Sequence, residues 1–313
     1  MIWIAFIAGI IIFLALDLGV FHKTDHVIRA REAAIWTGIW AAVALLFTFV
    51  IYWIFDSGLT PNPTGLTAGD AALKYITGYL IELSLSIDNV FVIAVIFSTF
   101  SIPPMYQHRV LFWGILGAIL FRGLMIVFGV ALITKFDWII YLFGAFLLIT
   151  AFRMLRHSEH EFNPENAWTL RQLRKIFPIT TTLEGHAFFV RYMGVNSATP
   201  LFVTLVMIEF TDVLFALDSI PAILAITADP FIVFSSNILA ILGLRSMYFL
   251  ISRMLEKFRF INFSLVIILA YVGLKMIFAH QIHIPEWLSL SIIVSSLGGG
   301  IFASLLIPEK TNN

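Results

Sequence analysis

Glu82-Leu83-Ser84-Leu85-Ser86-Ile87-Asp88-Asn89 and Asp212-Val213-Leu214-Phe215-Ala216-Leu217-Asp218-Ser219 read as two copies of one pattern. In each, two carboxylates stand six residues apart, a small polar residue follows the second, and apolar sequence extends on both sides. Glu209 precedes the second copy by about one helical turn. Both copies lie in segments long and apolar enough to span a bilayer. A carboxylate at bilayer depth costs at least ~2.5 kcal/mol on insertion scales. Five of them in two spans need a compensating partner, and a metal cation is the partner this pattern implies.

The rest of the chain supplies the membrane setting. Of its 313 residues 60% are hydrophobic and 12% charged, against roughly 25% charged in soluble domains. That composition, with a mean hydropathy of +0.96, describes an all-α polytopic membrane protein in contact with a lipid bilayer. Nine hydrophobic spans are expected, at 2–21, 33–55, 73–98, 109–133, 137–156, 199–226, 231–253, 260–281 and 286–308. The first lacks a basic flank and a small-x-small cleavage pattern, so it reads as a span and not as a removed signal peptide. A net charge of zero argues against a nucleic-acid partner. With no cysteine in the chain, disulfides and soft thiolate metal sites are excluded.

Lys and Arg concentrate in alternate loops: Lys23, Arg29 and Arg31; Arg156, Arg171, Arg174, Lys175 and Arg191; Arg253, Lys257 and Arg259. The positive-inside rule then places the N-terminus outside and the C-terminus in the cytoplasm of a plasma membrane, a bacterial inner membrane by this reading. The one long loop, 157–198, is expected to be cytoplasmic. Asn163-Pro164-Glu165 signals a helix start, and Leu170, Leu173 and Phe177 share a face opposite Arg171, Arg174 and Lys175. A basic amphipathic helix on the membrane surface is the favoured reading, with packing on the ends of the bundle as the alternative. Phe188–Thr199 could form a short hairpin.

The duplication extends past the acids. Gly117-Ala118-Ile119-Leu120-Phe121-Arg122 resembles Ala240-Ile241-Leu242-Gly243-Leu244-Arg245, and each places one arginine in mid-span. Spans 3–5 (73–156) therefore match spans 6–8 (199–281) in order. An odd number of spans per unit makes this an inverted-topology repeat inside a single transmembrane domain, 1–313, with a substrate site expected near the midplane between the units.

On an ideal helix six residues turn 600°, so Glu82 and Asp88, or Asp212 and Asp218, point to different faces. Convergence of all five acids is expected to need a helix interrupted at Pro221. The donors are Glu82, Asp88, Asn89, Glu209, Asp212 and Asp218, with Ser86, Ser219, Asn237 and Asp17 as accessory candidates and Arg122 and Arg245 as counter-charges. Asp17 could equally snorkel or cap a helix end, and Asn237 could equally serve helix–helix hydrogen bonding. Carboxylate, amide and hydroxyl oxygens are hard donors that suit manganese, magnesium or calcium. No histidine falls in mid-span, which disfavours zinc and a metallohydrolase, and no enzymatic activity is expected. The cation is thus cargo, with no tightly bound cofactor. Protonation and metal binding compete at such acids, which opens a route to proton exchange.

Further motifs are Leu16-Asp17-Leu18, Gly78-Tyr79-Leu80-Ile81-Glu82, Asp88-Asn89-Val90-Phe91-Val92, His108-Arg109-Val110-Leu111 and Phe188-Phe189-Val190-Arg191. Thr211-Asp212-Val213, Phe215-Ala216-Leu217-Asp218-Ser219-Ile220-Pro221-Ala222, Asp229-Pro230-Phe231-Ile232-Val233 and Ile241-Leu242-Gly243-Leu244-Arg245 complete the set. With these motifs the chain resembles the TerC/Alx family of integral membrane proteins, named for tellurite resistance and related to LysE-like transporters. The resemblance implies manganese export, with Glu82, Asp88, Glu209, Asp212 and Asp218 standing where the family's metal-binding acids stand. It also implies the alternative of a membrane-assembly or scaffold protein whose acidic cluster is structural.

Overall fold

Thr67 opens the helix that carries the first acidic stretch. Its Oγ1 accepts the Asp70 backbone N–H at 3.1 Å, and Asp70 adds negative charge to the first turn. In the computed structural model this helix, α3 (Ala68–Thr99), follows α1 (Ile2–Leu16) and α2 (Ala30–Asp56). It precedes α4 (Pro104–Lys135), α5 (Ile139–Arg156), α6 (Trp168–Ile176), α7 (Pro200–Leu224), α8 (Pro230–Ile251), α9 (Ile261–Ile277) and α10 (Glu286–Leu306). The structure describes residues 2–16, 30–62, 65–136, 138–156, 168–180, 183, 185–192, 194–251, 260–278, 281 and 284–306, apart from a few side chains. Among these, seven helices are long and apolar enough to cross a membrane, and α1 and α9 are shorter apolar helices.

Prolines punctuate the chain as their chemistry requires. Pro104, Pro200 and Pro230 each occupy a first helical position, where no backbone donor is needed. Asp229 caps α8, its Oδ1 accepting the N–H groups of Phe231 and Ile232, both at 3.0 Å. Pro221 lies inside α7, yet the helix runs on to Leu224. The interruption expected there is absent because the lost backbone bond falls in the last turn, where the helix is about to end.

The helices form a bundle around α8, which packs against α2, α3 and α4. Almost all of α8 is buried, including Ser235, Ser236 and Asn237, and a helix without a polar face belongs in such a place. Elsewhere α4 packs on α7, α3 on α7, and α5 on α9. Exchanging α3, α4 and α5 for α7, α8 and α9 turns the α3–α8 contact into α7–α4 and leaves the α5–α9 contact unchanged. Small residues set that last distance: a Cβ on Gly144 would lie 2.9 Å from the Gly273 carbonyl oxygen, and a Cβ on Gly273 equally close to that of Gly144.

At the end of the bundle where α3 and α10 begin and α9 ends, Lys74 Nζ donates to Glu286 Oε1 at 2.8 Å and to the Ile226 carbonyl at 2.7 Å. Lys275 Nζ reaches Glu286 Oε2 at 3.3 Å and Ser289 Oγ at 3.0 Å. One half-buried carboxylate thus joins two ammonium groups across α3, α9 and α10, and Lys74 adds the segment at Ile226.

The opposite end carries α6 and a hairpin. Strands β1 (Phe189–Tyr192) and β2 (Val195–Ala198) pair antiparallel, with Phe189 opposite Ala198 and Tyr192 opposite Val195. Gly194 in the turn has φ +82°, a conformation that favours glycine. Leu170 and Leu173 of α6 are buried in one apolar cluster with Leu201, Met207 and Tyr248, while Arg171, Arg174 and Lys175 are exposed. Those two α6 leucines pack on the end of the bundle, as the alternative reading of the loop has it. They pack toward α7, while Trp168 and Ile176 of the same helix stay exposed. The expected helix start at Asn163-Pro164-Glu165 lies outside the described residues.

Candidate functional site

Arg122, fully buried, is the hub of the site. It projects from α4 between the two acid-bearing helices. Its Nη2 donates to Asp212 Oδ1 at 2.8 Å and its Nε to Asp212 Oδ2 at 3.1 Å, a two-pronged match of guanidinium and carboxylate. Nη1 donates to Glu82 Oε1, and lies 3.4 Å from Asn237 Oδ1 and 3.5 Å from Ser219 Oγ. Ser86 Oγ donates to the same Glu82 oxygen at 3.3 Å. Asn237 also donates to the Val233 carbonyl at 3.1 Å, so it ties α8 to α4 through the guanidinium.

One formal positive charge therefore faces two formal negative charges in a buried setting. Three buried oxygens around this group have no hydrogen-bond partner: Glu82 Oε2, Asn89 Oδ1 and Glu209 Oε2. Buried acceptors are nearly always partnered, and each exception calls for a reason. Glu209 owes its place to Gly117. The Glu209 carboxylate fills the notch where a Cβ on Gly117 would stand, so α4 and α7 could not hold it there with any other residue at 117.

Two cavities adjoin the hub. One, of about 30 Å³, is bounded by Asn89, Thr211, Asp212, Phe215 and Arg245, among others. The second, of about 180 Å³, is bounded by Asn89, Thr150, Met154, Phe215, Asp218 and Ser219, with Leu85 and Leu269. Asn89 and Phe215 line both and form the partition. Asp218 belongs to the second cavity, where the Thr150 hydroxyl donates to its Oδ1 at 3.0 Å.

The predicted residues thus separate into groups. Glu82 and Asp212 meet at Arg122 with Ser86, Ser219 and Asn237; Glu209 stands beside them in its notch; Asn89 and Arg245 line the smaller cavity with Asp212. Asp218 does not join the carboxylate pair, because six residues of unbroken helix turn it away from Asp212. Among the described residues no three acidic or histidine side chains form a metal-holding group. The Asp88 side chain and Asp17 lie outside the described residues. Thr150, Gly117 and Met154 are not among the site residues expected from sequence, Gly117 entering there only as part of the repeat. Thr150 could have been, as a hydroxyl in an otherwise apolar stretch; Gly117 and Met154 carry no such signal.

Residues 67–312 match the integral membrane protein TerC family. An uncharacterized membrane protein of Myxococcus xanthus is 48% identical over 305 residues, covering 97% of this chain and 92% of the relative. The putative membrane-bound redox modulator Alx of Salmonella typhi is 44% identical over 298 residues, covering 95% and 91%. Its counterpart in Escherichia coli K12 is 43% identical, covering 95% and 92%. No solved structure matches the chain.

Proposed function

The chain belongs to the TerC family of integral membrane proteins, and from that premise we propose that it is a secondary transporter exporting a divalent metal cation, manganese first, through the carboxylates around Arg122. The observation that carries this reading is the set of three buried, unpartnered oxygens on Glu82, Asn89 and Glu209. Hard oxygen donors beside an excess of formal negative charge suit a hard or borderline divalent cation. Arg122 holds the pair together between visits of the cargo, so the acids are not left facing one another uncompensated.

Exchange against protons follows from the same chemistry, since a carboxylate that releases the cation can take up a proton in its place. The matched packing of the α3–α5 and α7–α9 triplets supports an inverted repeat with access alternating between its two sides. Orientation with the N-terminus outside and the 157–198 segment in the cytoplasm of the plasma membrane rests on the Lys and Arg distribution. A redox role of the kind named in the relatives would have to proceed without thiols, as the chain has no cysteine.

Flux of manganese in proteoliposomes, with and without a proton gradient, tests the proposal. Wild type should move manganese against its own gradient when protons flow the other way, and Asp88→Asn should lose that coupling. Flux indifferent to pH would leave a passive pathway; no flux at all would end the transporter reading.

A further inference from the structure

We propose that the larger cavity is a cation station in its own right, and that the thioether of Met154 makes it prefer manganese to calcium and magnesium. This rests on the transporter reading and asks where along the path the cargo is chosen.

The cavity brings together four oxygen-bearing side chains from three helices: Asn89 of α3, Thr150 of α5, and Asp218 and Ser219 of α7. Asn89 is 3% exposed and its amide oxygen has no hydrogen-bond partner. Asn89 lines both cavities and so stands between them. Thr150 fixes the Asp218 carboxylate through the 3.0 Å hydrogen bond. At about 180 Å³ the space exceeds what one water needs many times over, so a divalent ion fits with part of its hydration shell.

Met154 adds a different kind of atom. It follows Thr150 by four residues, which puts both on one face of α5, and it lines the same cavity. Oxygen donors alone accept calcium, magnesium and manganese with little distinction. A thioether is soft; calcium and magnesium gain almost nothing from it, whereas a first-row transition ion gains some bonding. One sulfur in an oxygen set therefore separates manganese from the far more abundant alkaline-earth ions without closing the site to a hydrated cargo. The smaller cavity, at about 30 Å³, has no sulfur among its described lining residues. Selection would precede or follow the Arg122 site and not occur within it.

The test is competition binding on the full-length protein in lipid nanodiscs, with manganese followed by its electron paramagnetic resonance signal and displaced by calcium or magnesium. Met154→Leu keeps the volume and should narrow the manganese-to-calcium preference by roughly tenfold, the scale on which losing a supporting interaction weakens a metal site, while calcium affinity stays as it was. Met154→Gln puts a hard oxygen in place of the sulfur and should strengthen calcium and magnesium binding. A wild-type preference unchanged in both variants overturns the assignment while leaving the transporter reading in place. Wild-type protein that binds no manganese at all would remove both together.

Discussion

Arg122 is the side chain on which most of the site depends. Removing one member of a buried ion pair leaves its partner uncompensated, typically at a cost of about 3–5 kcal/mol. Arg122→Gln should therefore lower unfolding free energy by that order, because Glu82 and Asp212 would both lose their donor. Adding Glu82→Gln should recover part of the loss, since the two substitutions act on one contact. Chemical denaturation of both single variants and of the double variant in the same detergent reads this; a double variant destabilised by the sum of the two singles would show that the charges are not coupled. The sequence marks these residues well, as charges in mid-span are costly and therefore informative. It does not mark which acid pairs with which. Pairing depends on the rotation of α4 against α3 and α7, a tertiary quantity that periodicity within one helix does not contain.

At the scale of elements, the α5–α9 pair shows how this bundle holds together. Lipid is as apolar as leucine, so helices in a membrane associate through close packing and not through exclusion of water. Gly144 and Gly273 allow each backbone to approach the other's carbonyl. Gly144→Val should force the helices apart and cost about 1–3 kcal/mol, as overpacking does. The same substitution at Gly298, where nothing lies within 4 Å, should be far milder. Thermal unfolding in one lipid composition compares them, and equal midpoints would show that the contact is not limiting. Helix positions and several boundaries were legible in the sequence: Asp229-Pro230 caps and opens α8 as its chemistry suggests, and the hairpin around Gly194 forms. The placement of α6 was not, because a face of Leu170 and Leu173 looks the same whether lipid or protein covers it. The continuity of α7 through Pro221 was missed as well, although the expected span end at 226 already puts that proline close to the helix terminus.

For the whole molecule, the Glu286 bridge has the position of a clasp. Lys74 lies on α3 and Lys275 on α9, so Glu286 joins one helix triplet to the other at a single end of the bundle. Glu286→Gln would leave two half-buried ammonium groups side by side and should favour opening of that end. The chain has no cysteine, so Ala225→Cys, at the residue that follows α7 and precedes the Ile226 carbonyl held by Lys74, provides a lone thiol for impermeant maleimide. Its labelling should accelerate at least about tenfold in the Glu286→Gln background, equivalent to ~1.4 kcal/mol of closing energy; an unchanged rate would mean that the bridge does not hold this end shut. The burial of α8 bears on something else, the order in which the chain is made. The helices that enclose it, α2, α3 and α4, all precede it in the sequence, and membrane proteins are synthesised from the N-terminus. When Ser235, Ser236, Asn237 and Arg245 leave the ribosome, the walls that will receive them have already been made. A helix buried on nearly every side is thus delivered into a berth and does not have to wait in the open bilayer.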